Sequence, residues 1–370
     1  MSFDRVIICI MALFAVLGAV DRILGNRLGA GKAFEEGIST MGPLALSMVG
    51  IMVLSPVLAT LLTPVVTPLF ALMGADPAVF AGSMLALDMG GAQLARELAA
   101  TPDAAQFGGI LIGSMLGATV SFTIPFAMSA LSGEARGDAA RGILWGVVTI
   151  PFGVLAGGLG AGFSAKPVLL NTLPVLLLSL LIALGLWRAE RFMLRAFSAF
   201  GWLITALATV GLAAAGVERI TGWVLIPGLG DLSDTFVVVG EIAIVLSGAL
   251  PLLVILQKLL GKPMAWLGKK IRVNETAVAG LVATLANSIA TFAMVPRMDK
   301  RGRVVNMAFA VSGAFVFGDH LAFAAGYDPA MVGPMIAGKL VAGLLAVTLA
   351  LWATGKEHLP NQENPGSPTN

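Results

Sequence analysis

Long apolar stretches alternate with short polar joints along almost the whole chain. Those at 5–24, 38–62, 104–130, 141–163, 168–187, 196–217, 235–258, 304–326 and 330–353 are close to or above the ~20 residues an α-helix needs to cross hydrocarbon. They predict an all-α polytopic membrane protein of about nine crossings. The first run, Val6 to Leu24, has no small-x-small cleavage site and carries Asp21-Arg22 near its end. It therefore reads as a retained helix rather than a signal peptide.

Two stretches break the pattern. The segment 77–99, PAVFAGSMLALDMGGAQLARELA, meets a carboxylate at Asp88 and a break at Gly90-Gly91. The segment 274–297, NETAVAGLVATLANSIATFAMVPR, is interrupted at Asn287-Ser288. A short amphipathic piece precedes each, at 63–74 and 262–272. Broken segments at bilayer depth are tolerated only where protein or a water-filled cavity satisfies the freed backbone. Corresponding broken segments in two halves of a chain point to a transport site.

The halves correspond in the order of their elements and in a few positions. Pro56 and Pro251 are 195 apart, as are Pro68 and Pro263; Gly82 and Gly280, and Ser114 and Ser312, are 198 apart. On the second spacing Ser121 falls opposite Asp319.

Charge then selects a topology. Lys and Arg cluster at Arg22/Arg27/Lys32, Arg136/Arg141, Arg188/Arg191/Arg195, Lys258 to Arg272 and Arg297 to Arg303, and are sparse at 63–76, 164–167, 218–234 and 327–329. If both broken segments crossed the membrane, 131–141 and 188–195 would lie outside, against the positive-inside rule. If both are re-entrant hairpins, every basic cluster is cytoplasmic. The expectation is then two inverted repeats, 1–163 with hairpin 77–99 and 195–354 with hairpin 274–297, joined by a connecting helix in 164–194. The N-terminus lies outside and the C-terminus inside, and the polar tail 355–370 is a disordered cytoplasmic extension.

Ionisable groups within apolar stretches are functional candidates by default. Asp88 and Asp319 are the best-placed carboxylates for a cation, with Asp88 the principal ligand and Asp319 expected within an unbroken helix. Asn287 and Ser288 offer neutral donors and acceptors at the second hairpin's tip, and ordinary interhelical hydrogen bonding explains them about as well. Gly90 and Gly91 supply the turn and close backbone approach. Glu241 is a third acidic candidate, or merely sits toward the outer end of its helix. Behind these, His320 reads as a satisfied polar residue or a partner of Asp319, Lys339 as a counter-ion for Asp319, and Ser121 as a supporting hydroxyl. Glu35 and Glu36 are adequately explained as carboxylates at a solvated helix N-terminus.

Composition narrows the classes. The chain is 57% hydrophobic and 12% charged, about half the charged fraction of soluble domains. Its mean hydropathy is +0.92. The net charge of +2 shows no basic stripe for nucleic acid. One cysteine, Cys9, cannot form an internal disulfide or a thiolate metal site, and no metal or other cofactor is expected. HExxH, GxSxG and Walker loops are absent, so transport is expected to be secondary or facilitated, without ATP hydrolysis. An intramembrane aspartyl protease is the weaker reading: the stretch before Asp319 lacks the first glycine of GxGD, and the only Tyr-Asp pair, Tyr327-Asp328, follows it.

Several long stretches carry a family likeness. FEEGISTMGPLALSMVGIMVLSPVLA, FAGSMLALDMGGAQLARELA, GLVATLANSIATFAMVPRMDKRGRVVNMAFAVSGAFVFGDHLAFAA and PMIAGKL resemble the EutH-type ethanolamine permeases of bacterial ethanolamine-utilisation systems. The likeness runs from about Val20 to Trp352 and is thinnest over 164–235. It implies an inner-membrane transporter that imports ethanolamine for an ethanolamine ammonia-lyase pathway, often housed in a microcompartment. It carries over no substrate ligands. A channel or permease for another small amine, such as ammonium or choline, is the alternative. Ethanolamine suits the residues: a carboxylate can take its ammonium, and Asn or Ser its hydroxyl. With one tyrosine in the chain, a tyrosine-rich cage is not expected, although Phe or Trp can still face a cation. The expected partners are ethanolamine, the bilayer and, by analogy with elevator-like transporters, further copies of the chain.

Overall fold

The computed structural model describes residues 3–355, excepting the side chains of 3, 260–262, 264, 265 and 267. The tail expectation, 355–370, falls outside these residues apart from Gly355. In chain order the helices are α1 (Phe3–Ile23), α2 (Ala30–Ala71), α3 (Ala78–Met84), α4 (Gly91–Leu98), α5 (Pro102–Ala130), α6 (Gly133–Gly160) and α7 (Ala165–Arg188). There follow α8 (Glu190–Thr221), α9 (Leu232–Ile271), α10 (Glu275–Ala286), α11 (Ser288–Met294), α12 (Lys300–Gly313), α13 (Asp319–Tyr327) and α14 (Pro329–Ala353). Among the described residues there is no strand, and eight helices are long and apolar enough to span a membrane. The chain is an all-α polytopic membrane protein.

The helices start where the sequence supplies caps. Thr101 accepts the Ala104 amide with Pro102 at the first helical position, Asn274 accepts that of Ala277, and Asp299 that of Gly302. Each cap satisfies an amide that the helix itself leaves unpaired.

Two expectations about the elements need correcting. The amphipathic pieces 63–74 and 262–272 are not separate. α2 runs 42 residues and α9 runs 40, carrying Pro56, Pro64, Pro68, Pro251 and Pro263 inside them. Each proline removes one amide bond from a ladder that the flanking turns still hold, so the helix continues. At ~1.5 Å per residue, α2 is roughly 60 Å long, about twice the hydrocarbon thickness. The second correction concerns 304–326, which is not one helix. It is α12 and α13, broken at Ala314–Gly318. The Phe315 amide donates to the Thr284 carbonyl at 3.0 Å and the Phe317 amide to the Leu285 carbonyl at 2.9 Å. These carbonyls lie at the C-terminal end of α10, where a helix has no acceptable donors of its own. The break thus serves the hairpin helix beside it.

Both interrupted segments return to where they began. α3 packs against α4, and α10 against α11. In the first, one Asp76 oxygen accepts the Ala78 amide at 2.9 Å and the other accepts the Ala100 amide at 3.0 Å. In the second, Asp299 accepts the Asn274 amide at 2.8 Å, while the Asn274 side chain donates to the Arg297 carbonyl. The ends of each segment are therefore held together by one carboxylate, through bonds worth roughly 1.5–3 kcal/mol each when an ionised group takes part. The packing also recurs at the 198 spacing: Gly82 lies against Gly108, and Gly280 against Asn306.

Candidate functional site

Three chain interruptions converge on one cavity of about 600 Å³. At the first, α3 ends at Met84, Leu85 and Ala86 are extended, and a single 3-10 turn, Leu87–Met89, presents Asp88. The Ala86 carbonyl accepts the amides of both Met89 and Gly91. Gly90 reverses the chain at φ 83°, a conformation that costs a side-chain-bearing residue free energy. Ser121 of α5 anchors the turn, accepting the Ala86 amide at 3.2 Å while donating to the Gly117 carbonyl at 2.7 Å.

At the second interruption Asn287 ends α10 in extended conformation and caps α11, its side-chain oxygen accepting the Ile289 amide at 2.8 Å. Its side-chain oxygen spends one of two lone pairs on that cap, and its NH2 can donate to a ligand. At the third, Gly318 lies so close to the Ala286 carbonyl that a Cβ would overlap it, and α13 opens with Asp319-His320. Asp88, Asn287, Asp319 and His320 all line the cavity.

Behind it stands a fully buried lysine. Lys339 of α14 donates from Nζ to the Ser114 carbonyl at 2.6 Å and meets His320 Nδ1 at 3.0 Å. His320 Nε2 faces Asp88 Oδ1 at 3.8 Å. Lys339 is thus oriented to His320, and His320 to Asp88, where Asp319 was the expected partner of both. The charge count follows. Asp88 and Asp319, the two lining carboxylates at interrupted helices, have one buried ammonium behind them, so with these three ionised the group is one positive charge short of neutral; the third lining carboxylate, Glu36, is exposed to solvent on α2. A monovalent cation supplies that charge, and in a poorly solvated site this matters far more than at a surface. Among the described residues, no group of three or more His, Cys, Asp or Glu side chains could hold a metal ion.

The remaining sequence candidates are placed as follows. Gly90 and Gly91 build the turn beneath Asp88; a Cβ on Gly91 would press on the Leu85 and Ala86 carbonyls. Ser288 is buried next to the cavity-lining Asn287, with its hydroxyl unpaired among the described residues. Glu241 is exposed on α9, packs beside Gly326 at the far end of α13, and does not line the cavity.

Sequence reasoning passed over several lining residues. Glu36, Thr40 and Ser47 project from one face of α2, and Gln257 from α9. Their spacing of four and seven along α2 was the available signal, since such positions share a helical face. Glu36 is exposed near the start of α2, as a solvated helix end would be, and lines the cavity as well. Phe122 and Phe315 complete the wall. A second, separate cavity of about 480 Å³ sits at the base of the first hairpin and includes Arg96, Ala100, Gln106 and Asp328. Beside it the Tyr327 hydroxyl donates to Gln93 at 3.2 Å, and Gln106 hydrogen-bonds Asp328.

Comparison with known proteins adds a family. The model of the family described as "Ethanolamine utilisation protein, EutH" matches residues 3–353. A relative from Listeria monocytogenes, named "Probable ethanolamine permease EutH", is 48% identical over 96% of this chain and 95% of its own. One of the same name from Salmonella typhimurium is 43% identical over 96% of this chain and 97% of its own. "Uncharacterized protein YxeR" from Bacillus subtilis is 45% identical over 98% of each. No solved structure gives a significant match to the chain.

Proposed function

The chain belongs to the EutH family of ethanolamine-utilisation proteins, and from that premise we propose that it imports protonated ethanolamine across the inner membrane by alternating access at the Asp88–Asp319 cavity. The observation that carries this reading is the charge count. Asp88 and Asp319 at interrupted helices face one cavity, a single buried lysine stands behind them, and a monocation completes the balance of these three groups, the third lining carboxylate, Glu36, being exposed to solvent. Asp88 and Asp319 receive the ammonium, and the Asn287 NH2 donates to the hydroxyl. The anchored turn keeps Asp88 in place before substrate arrives, so little ordering is left to oppose binding. Uptake of labelled ethanolamine into liposomes holding the purified protein tests the proposal. Saturable uptake resisting excess ammonium and choline supports it. Equal competition by ammonium points to a general amine pore, and no uptake above empty liposomes overturns transport.

The same reading takes 1–163 and 195–354 as inverted repeats around the connecting segment 164–194. The paired caps and close contacts 198 residues apart support it. The N-terminus is then outside, as is the base of the first hairpin, while the α5–α6 joint is cytoplasmic. Cysteines at Ala100 and Gly137, in a Cys9→Ser background, check the orientation. A membrane-impermeant maleimide added to cells is expected to label position 100 and spare 137; the reverse pattern would invert the topology.

A further inference from the structure

The cavity is far too large to choose its cargo by volume. Ethanolamine has four heavy atoms, and about 600 Å³ would admit much bulkier amines. Discrimination between ammonium heads has to come from a local wall near the carboxylates. Phe315 supplies a fixed surface there. It lines the cavity with Asp88, Asp319 and His320, yet is 7% exposed. Its ring centroid is 5.1 Å from that of His320 and 5.7 Å from that of Phe122, the two phenyl rings meeting edge to face at 69°. Phe122 in turn stacks on Phe126, which stacks on Phe292 of the second hairpin.

The backbone holds this ring in place. Phe315 has φ 60°, in the left-handed region that a bulky side chain rarely adopts. Its amide is tied to the Thr284 carbonyl of α10. Strain of this kind persists where the surrounding structure over-determines it, and it concentrates at ligand sites. The ring cannot be drawn aside without breaking that bond or unpacking His320 and Phe122. Because the two phenyl rings touch each other, no gap between them can enclose a trimethylated head as an aromatic cage does.

Resting on the transport reading above, we infer that Phe315, backed by Phe122, is the specificity-determining wall of the ammonium subsite: it admits a primary ammonium beside Asp88 and Asp319 and excludes a quaternary one. Removing the ring opens room for the extra methyl groups. Misfit of a methyl or two against a rigid wall is commonly a tenfold effect or more.

The test uses the full-length protein in liposomes with ethanolamine and choline as the two probes. Phe315→Ala and Phe315→Gly lose the ring equally, but only glycine accepts φ 60° without strain. Both are expected to bring choline's inhibition of ethanolamine uptake at least about tenfold closer to that of ethanolamine itself. In detergent, the glycine variant is expected to melt above the alanine variant, the reverse of the usual order. Phe122→Leu, a milder change, is expected to shift selectivity in the same direction. Wild-type protein that carries choline as readily as ethanolamine, or variants that keep wild-type selectivity, would overturn the inference while leaving ethanolamine transport standing. Wild-type protein that carries neither amine overturns the transport reading, and this inference with it.

Discussion

Asp88→Asn is expected to weaken ethanolamine binding by about a hundredfold, roughly 3 kcal/mol, with the protein still folded and inserted. Asparagine keeps the size of aspartate and most of its hydrogen bonding, and the turn that carries it is built from the Ala86 carbonyl, Gly90 and Ser121 rather than from the carboxylate. What changes is the balance of charge. With Asp319 the one carboxylate left at an interrupted helix and Glu36 out in solvent, Lys339 already balances Asp319 and a cation gains little by entering. The double variant Asp88→Asn/Lys339→Met restores the deficit of one charge and is expected to recover part of the affinity, although it leaves the Ser114 carbonyl and His320 Nδ1 without their partner. Isothermal titration on wild-type, single and double variants reads this directly. A folded Asp88→Asn protein with wild-type affinity would place the ammonium elsewhere, with Glu36 as the next cavity-lining carboxylate.

The second large effect is structural. Gly82→Val is expected to lower the melting temperature in detergent by about 10 °C, for a loss of roughly 3 kcal/mol, and to abolish uptake. A Cβ on Gly82 would overlap the Gly108 carbonyl of α5, and one on Gly117 would overlap the Leu85 carbonyl. Backbone atoms cannot rotate away as a side chain can, so α3 has to lift off α5, carrying the Asp88 turn with it. Gly137→Ala is the control. Its Cβ would meet nothing within 4 Å, and its expected effect is neutral or stabilising by a few tenths of a kcal/mol. Unchanged melting and uptake in Gly82→Val would mean that the first hairpin is not seated by this contact.

The amino-acid pattern alone settled the helical membrane class and the two places where the hairpin helices are interrupted, while the family entered as a resemblance of long stretches that the family match then bore out. Long apolar runs have few solutions in a bilayer, and Gly90-Gly91 or Asn287-Ser288 inside such a run leaves backbone that must be satisfied locally. Asp88 and Asp319 could also be singled out from sequence, because a carboxylate among apolar residues is costly wherever the chain folds.

Only the tertiary structure decided which groups share a site. Glu36 and Gln257 reach the cavity because α2 and α9 pack on each other with these faces turned toward it, and helix continuity through Pro64, Pro68 and Pro263 likewise depends on packing that no local rule contains. Glu241 lies in an apolar run like the true lining residues, yet its face of α9 turns away. Lys339 partners His320 rather than Asp319 because α14 is docked against α5 and α13, which fixes the direction of its side chain. The break at Ala314–Gly318 has no proline and only its last residue is glycine; it opens because the end of α10 presents the Thr284 and Leu285 carbonyls to the amides of Phe315 and Phe317. Sequence reports the cost of each residue in a bilayer, whereas the choice of partner that offsets the cost is made by contacts between helices far apart in the chain.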